Sequence, residues 1–359
     1  MFQRLSSYVS TSLLAVGTLA ASFSVQAEIT YPNSVYENLD YGLYWFNYND
    51  AEKAVPGQTN PYYSPNKNTV IYIHGWQNGS VDNYRRETLN RRNSGGPDED
   101  LSQYWLDRGY NVGILYWNQF ADESEVKDAE AKIHSTAGPR GMRWKSAATG
   151  YQSGPNQNVT QLLTKSILDN MAGFNGAEFR LAGHSLGNQL ALSIAYSLRD
   201  NPDLDLRVDR VALLDTFYSN YSKSYLGGKW TGEVAREYAF ELKSRGVAIE
   251  SYRSSPVTST AFIGDSNTAL MREVAFSELK PWNFQFWQVA EKHGAAVTWY
   301  FWSKAFGTLD VLNDSLDAPS AASSHNHIRT LMDVNWSSNQ NEGAYTPSPA
   351  DDDFNKVSR

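Results

Sequence analysis

A serine hydroxyl becomes a nucleophile only when a base can take its proton and a third group holds that base in place. The segment RLAGHSLGNQ (Arg180 to Gln189) sets Ser185 between Gly183 and Gly187. A short apolar run, FRLAG, leads into it, and a stretch with helical spacing follows. Glycines on both sides permit a strand-to-helix corner too tight for larger side chains. Such a corner holds the serine oxygen out at the carboxyl edge of a sheet. A second segment, YIHGW (Tyr72 to Trp76), ends another apolar run in His-Gly. Backbone N–H groups there would stand beside the serine. The negative oxygen of a tetrahedral intermediate needs two such donors. The backbone N–H groups of Trp76 and Leu186 are expected to supply this oxyanion hole, with His74 a structural loop residue.

Elements that could carry these residues alternate along the chain. TVIYIHG (Thr69 to Gly75), NVGILYW (Asn111 to Trp117), FRLAG (Phe179 to Gly183), RVALLD (Arg210 to Asp215) and GVAIESYR (Gly246 to Arg253) read as strands, with AAVTWYF (Ala295 to Phe301) a weaker sixth. Their near-continuous apolar character suits strands buried on both faces of a parallel sheet. After Ser185, Leu186, Leu190, Ile194 and Leu198 recur every four residues, widened by Ala191 and Ala195, which predicts a helix packed on that sheet. Asn201-Pro202 ends it. Val159 to Met171 reads as the helix before the serine strand. The expected fold class is α/β, with a mostly parallel central sheet and helices on both faces.

In the order HGW, GHSLG and LLD, the chain resembles the α/β-hydrolase fold and, more narrowly, the pancreatic-type lipase and phospholipase A1 family. Those enzymes carry a His-Gly-aromatic oxyanion loop, a Gly-His-Ser-Leu-Gly elbow and an acid in a Leu-Asp segment after the next strand. The resemblance spans roughly Thr69 to Arg329 and is carried by these motifs. It implies the acid at Asp215, with Asp265 in FIGDSN as the alternative. The chain departs from the family just after the acid, where DTFYSN stands in place of proline and small residues. The order serine, acid, histidine leaves His293, His325 and His327 as candidate bases. The family's histidine lies in an Asn-His-aliphatic-Arg segment, which Asn326-His327-Ile328-Arg329 matches. His327 is therefore the expected base, His325 its competitor, and His293 a helix-end residue. A His-x-His pair could also ligate a metal, but no third ligand is evident nearby. PDLDLRVD (Pro202 to Asp209) precedes the acid, and no loop has EF-hand spacing, so no metal or cofactor is expected.

The resemblance implies hydrolysis of carboxylic esters through an acyl-enzyme, with lipid esters favoured (a lipase or esterase). Phospholipase A1 is the alternative. A non-catalytic lipid-binding protein on the same fold is disfavoured by the presence of all three residue types, and a peptidase is a further alternative. The aromatic-rich stretch from Trp282 to Phe306 admits two readings, a lid over the site or core packing. Its Trp and Tyr content would suit transient contact with a lipid–water interface.

Composition sets the outer bounds. The net charge is −8, with 41% hydrophobic and 19% charged residues, a globular balance without the basic footprint of nucleic-acid binding. Residues 1–27 have the layout of a secretory signal peptide: Arg4, the apolar run Leu13 to Ala21, and VQA before Glu28. A secreted protein, extracellular or periplasmic, is expected. Without cysteine the fold has no disulfide framework. The catalytic domain is expected over 28–336, with insertions at about 118–158 and 265–323, the latter lid-like. Residues 337–359 are expected to form a polar, frayed tail.

Overall fold

The apolar runs become strands because each offers β-branched and aromatic side chains to both faces at once. The computed structural model describes residues 29–48, 50–91, 99–257, 264–281, 284–307, 309–341 and 352–359. The leader expected at 1–27 lies outside the described residues. Twelve strands are described: β1 (Gly42–Asn47), β2 (Asp50–Lys53), β3 (Thr69–Ile73), β4 (Asn111–Tyr116), β5 (Trp144–Ser146), β6 (Gly150–Gln152), β7 (Phe179–His184), β8 (Arg210–Leu214), β9 (Ala248–Arg253), β10 (Ala275–Glu278), β11 (Trp336–Gln340) and β12 (Phe354–Ser358). The longer helices are α1 (Val126–His134), α2 (Val159–Asn170), α3 (Gly187–Leu198), α4 (Thr231–Ser244), α5 (Val289–Trp302) and α6 (His325–Asp333).

Ten strands form one sheet in the order β12-β11-β10-β9-β8-β7-β3-β4-β1-β2, and β5 pairs with β6 as a separate hairpin. From β4 through β11 the neighbours run parallel; β1, β2 and β12 close the edges with antiparallel pairs. Alternation sends Ile71, Ile73, Leu181, Val211 and Leu213 to one face, beneath α2, α3, α4 and α6. Val70, Tyr72, Val112, Ile114 and Leu214 go to the other, beneath α5 and Trp105. Each such fully buried side chain contributes about 1.5–3 kcal/mol. The expected α/β class, with helices on both faces, is what the structure contains.

Three expectations change. Ala295 to Phe301 is not a strand but the second half of α5. Ala290, His293, Val297, Tyr300 and Phe301 fall on one buried helical face, and a short aromatic run conceals that period. Across 118–158 the chain, expected as an insertion or long loop, is structured: it forms a helical turn at Asn118–Ala121, then α1 and the β5–β6 hairpin. The tail expected from residue 337 is built into the sheet at β11 and β12, where Trp336 faces Ser358 and Gln340 faces Phe354.

Two buried arginines tie the late part of the chain to the central strands. Arg180 on β7 donates to the Ala321 carbonyl at 2.9 Å. Arg210 on β8 donates to the Ser320 and Ser323 carbonyls at 2.6 and 2.5 Å, and pairs with buried Glu250.

Candidate active site

Strand register gathers the site. Ile73 lies opposite Gly183, His184 opposite Leu214, and Leu214 opposite Tyr252. The residues that follow each strand end therefore meet at one sheet edge. They are Gly75 and Trp76 after β3, Ser185 after β7, Asp215 after β8, and Ser254 and Ser255 after β9.

Ser185 takes the left-handed backbone conformation, φ 54°, between β7 and α3. The flanking glycines leave no room for a side chain. A Cβ on Gly183 would meet the Gly187 carbonyl oxygen at 2.3 Å, and one on Gly187 would meet that of Ile73 at 2.1 Å. The Ser185 N–H donates to the Leu214 carbonyl at 3.0 Å, fixing the corner to β8. A strained serine on a strand–corner–helix joint at the carboxyl edge of a mostly parallel sheet has the geometry of a nucleophile elbow. The fold is that of the α/β hydrolases.

Asp215 also has positive φ, 39°, and is fully buried. Its Oδ1 accepts the N–H groups of Ser254 and Ser255 at 2.8 and 3.2 Å. Its Oδ2 accepts the Ser255 hydroxyl and Nδ1 of His293, the latter at 2.5 Å. His293 and Ser185 line one cleft with Gly75, Trp76, His184 and Phe217. The cleft volume is about 40 Å³, room for a water-sized group. No hydrogen bond joins Ser185 to His293 among the described residues.

The expected base, His327, is not at this site. It lies on α6, and its Nε2 bonds the Asp317 carbonyl at 2.9 Å. Its competitor His325 lies 3.1 Å from the Glu178 carboxylate. Glu178 precedes β7, whereas Ser185 follows it, so the six residues of that strand separate them by about 20 Å. The match to Asn-His-aliphatic-Arg led to the wrong end of the sheet. His293 could have been found from its helical spacing to Val297 and Tyr300, which puts it on the core-facing side of α5.

The other expectations fare differently. Asp265 accepts the Asn267 N–H and lies 3.8 Å from Arg236, and among the described residues no histidine bonds it. His74 is buried, its Nδ1–H donating to the Gly75 carbonyl and its Nε2 accepting the Trp117 N–H. Burial pushes its pKa down to about 4, so the ring is neutral and structural. The backbone N–H groups of Trp76 and Leu186 donate to no other group among the described residues; Trp76 lines the cleft, and Leu186, which follows Ser185, is buried. Of the aromatic stretch, Trp299, Tyr300, Phe301 and Trp302 are core. Phe286 and Trp287 stand 80% and 64% exposed, and Trp282 lies outside the described residues.

No protein-family model matches the chain, and no curated protein matches it. Solved structures with similar folds include an open-form lipase, at 18% identity and TM-score 0.23 over 45% of this chain. The chain spans about two fifths, 39%, of that lipase. A hyperthermophilic esterase from the archaeon Pyrobaculum calidifontis is similar at 12% identity and TM-score 0.34, over 68% of this chain and 76% of its own. A lipase-esterase related protein from Clostridium acetobutylicum is similar at 14% identity and TM-score 0.31, over 66% of this chain and 93% of its own. Likenesses this low do not bear on activity.

Proposed function

We propose that the chain is a serine hydrolase of carboxylic esters, with Ser185 the nucleophile, His293 the base and Asp215 the acid. The supporting observation is the 2.5 Å bond from His293 Nδ1 to Asp215, with His293 and Ser185 facing one cleft. The bond to Asp215 leaves Nε2 of His293 to take the serine proton. Ser185 Oγ attacks the ester carbonyl. The N–H groups of Trp76 and Leu186 hold the oxyanion. His293 then protonates the departing alcohol, and a water molecule, deprotonated by His293, releases the acid from the acyl-enzyme. Hydrogen bonds of this kind often tighten only when substrate is bound, so the open Ser185–His293 pair is compatible with the role.

Lipase or phospholipase A1 activity is the narrower reading. It draws on the sequence resemblance and on exposed Phe286 and Trp287 just ahead of α5, aromatics suited to a lipid–water boundary. Export through a leader at 1–27 belongs to the same reading. The test is labelling with a fluorophosphonate, followed by peptide mass spectrometry, on wild type and Ser185→Ala, alongside hydrolysis of p-nitrophenyl esters and phospholipid. An adduct on Ser185 with ester turnover, both absent from the variant, supports the reading. An unlabelled, inactive wild type returns the chain to the non-catalytic lipid-binding reading.

A further inference from the structure

We propose that Glu130, on the inserted helix α1, is a positioning residue that holds the loop behind Asp215 in register with the nucleophile helix α3; this rests on the catalytic reading above. Its side chain is fully buried. Oε1 accepts Gln189 Nε2 at 2.7 Å, the Ser219 N–H at 2.9 Å and the Thr231 hydroxyl at 2.9 Å, and Oε2 accepts the Ser219 hydroxyl. One carboxylate thus joins α3, the loop after the acid, and the start of α4.

Gln189 makes the connection a clamp. Its second Nε2 hydrogen goes to the Phe217 carbonyl at 2.7 Å. Its Oε1 takes the Nε2–H of His134 at 2.8 Å, and this sets which end of the amide faces Glu130. The segment from Asp215 to Ser219 is therefore held at Phe217 and at Ser219 by groups from outside it. Phe217 also lines the cleft. This is the segment where DTFYSN replaces the residues usual in the resembled family, so a clamp from the insertion stands where local chain stiffness is missing.

Stability alone is a poor reason for such a group. Burying a carboxylate is costly, and no lysine or arginine pairs with Glu130 among the described residues. An apolar side chain there would in turn leave the Ser219 N–H and a Gln189 amide hydrogen without an acceptor, so the network is costly both to build and to break. A carboxylate is suited to collecting donors from three elements and fixing their relative placement.

The experiment compares Glu130→Leu, Glu130→Gln and Ser219→Ala with wild type. It measures kcat and KM on p-nitrophenyl acetate, normalised to active sites titrated by fluorophosphonate, together with thermal midpoints. Glu130→Leu is expected to lower kcat per titrated site by about 10–100-fold with KM nearly unchanged, since a displacement near 1 Å can cost about 100-fold. Glu130→Gln is expected to restore most of that rate, because its carbonyl still accepts three donors and its amide can donate to the Ser219 hydroxyl. Ser219→Ala, the milder variant if Glu130→Leu does not fold, is expected to lose kcat in the same direction by less. Lower midpoints with wild-type kcat per site in Glu130→Leu or Ser219→Ala would overturn the proposal and leave the catalytic reading intact. A wild type that does not label would overturn both.

Discussion

His184, the residue before the nucleophile, braces the proposed base. Its ring lies 4.5 Å from that of His293, and its Nε2–H donates to the His293 carbonyl at 3.0 Å. Burial, and then the neighbouring His293, hold the His184 pKa well below the usual histidine range, so the ring stays neutral. The histidine of the elbow motif thus supports α5.

Two histidine variants separate the sequence match from the observed geometry. His293→Ala is expected to lower kcat on p-nitrophenyl acetate by about 10⁴–10⁶-fold, the scale seen when one member of a triad is removed. His327→Ala is expected to stay within about twofold of wild type, as for a substitution away from the site. Steady-state kinetics on the two purified variants checks this, and the reverse pattern would return the base to α6.

The acid has its own test. Asp215→Asn should fold, since its amide oxygen can still accept from Ser254 and Ser255, yet lose about 10⁴-fold in kcat through the wrong histidine tautomer. Asp265→Asn should keep near-wild-type turnover. Equal losses in the two would argue against Asp215.

Gly75 is expected to resist even a methyl group. A Cβ there would meet the Ser185 Cβ at 2.7 Å and the His184 carbonyl oxygen at 3.0 Å. Gly75→Ala must shift either the loop after β3 or Ser185 itself, with an expected loss of about 100-fold in kcat per titrated site. Gly187→Ala faces backbone on the Ile73 side and is expected to cost at least about 1–3 kcal/mol in urea unfolding. Unchanged kinetics in Gly75→Ala would mean that the loop is looser than the packing implies.

Acid should weaken the fold through His74. Its folded pKa is pushed down to about 4 by burial, against an ordinary value of 6.5. The unfolded chain therefore binds the extra proton first. Stability is present above pH 6.5 and is lost as pH falls toward 4. Between pH 7 and pH 5 this group alone should remove about 2 kcal/mol. His74→Asn, which can still donate to the Gly75 carbonyl, should be weaker at pH 7 but lose less on acidification. Urea midpoints at both pH values measure the difference, and equal losses would count against the assignment.

Much of the fold was legible because buried parallel strands are apolar throughout. Val70 to Ile73 and Arg210 to Leu214 could hardly be anything else between polar turns. The elbow was legible because its glycines answer a steric demand that other residues cannot meet. The proposed base was not, because His293 is placed by helix α5, whose aromatic second half reads locally as a strand. Glu130 was hidden for a related reason: its partners come from positions 189, 219 and 231, and no local pattern announces such a convergence. The edge strand β12 carries a mostly polar sequence and is held by backbone pairing with β11, which composition does not reveal.

The buried arginines on β7 and β8 set an order on folding. Their carbonyl partners lie 110–141 residues further along the chain. A chain emerging from its N-terminal end can form the elbow early, yet Arg180 and Arg210 lack those partners until residues past 320 arrive. Contacts of such long sequence separation slow folding and delay its completion. His293 also arrives in this late stretch. If the proposed triad holds, nascent chains that stop short of it would carry the serine without its base, so competence for chemistry and closure of the fold should appear at nearly the same chain length.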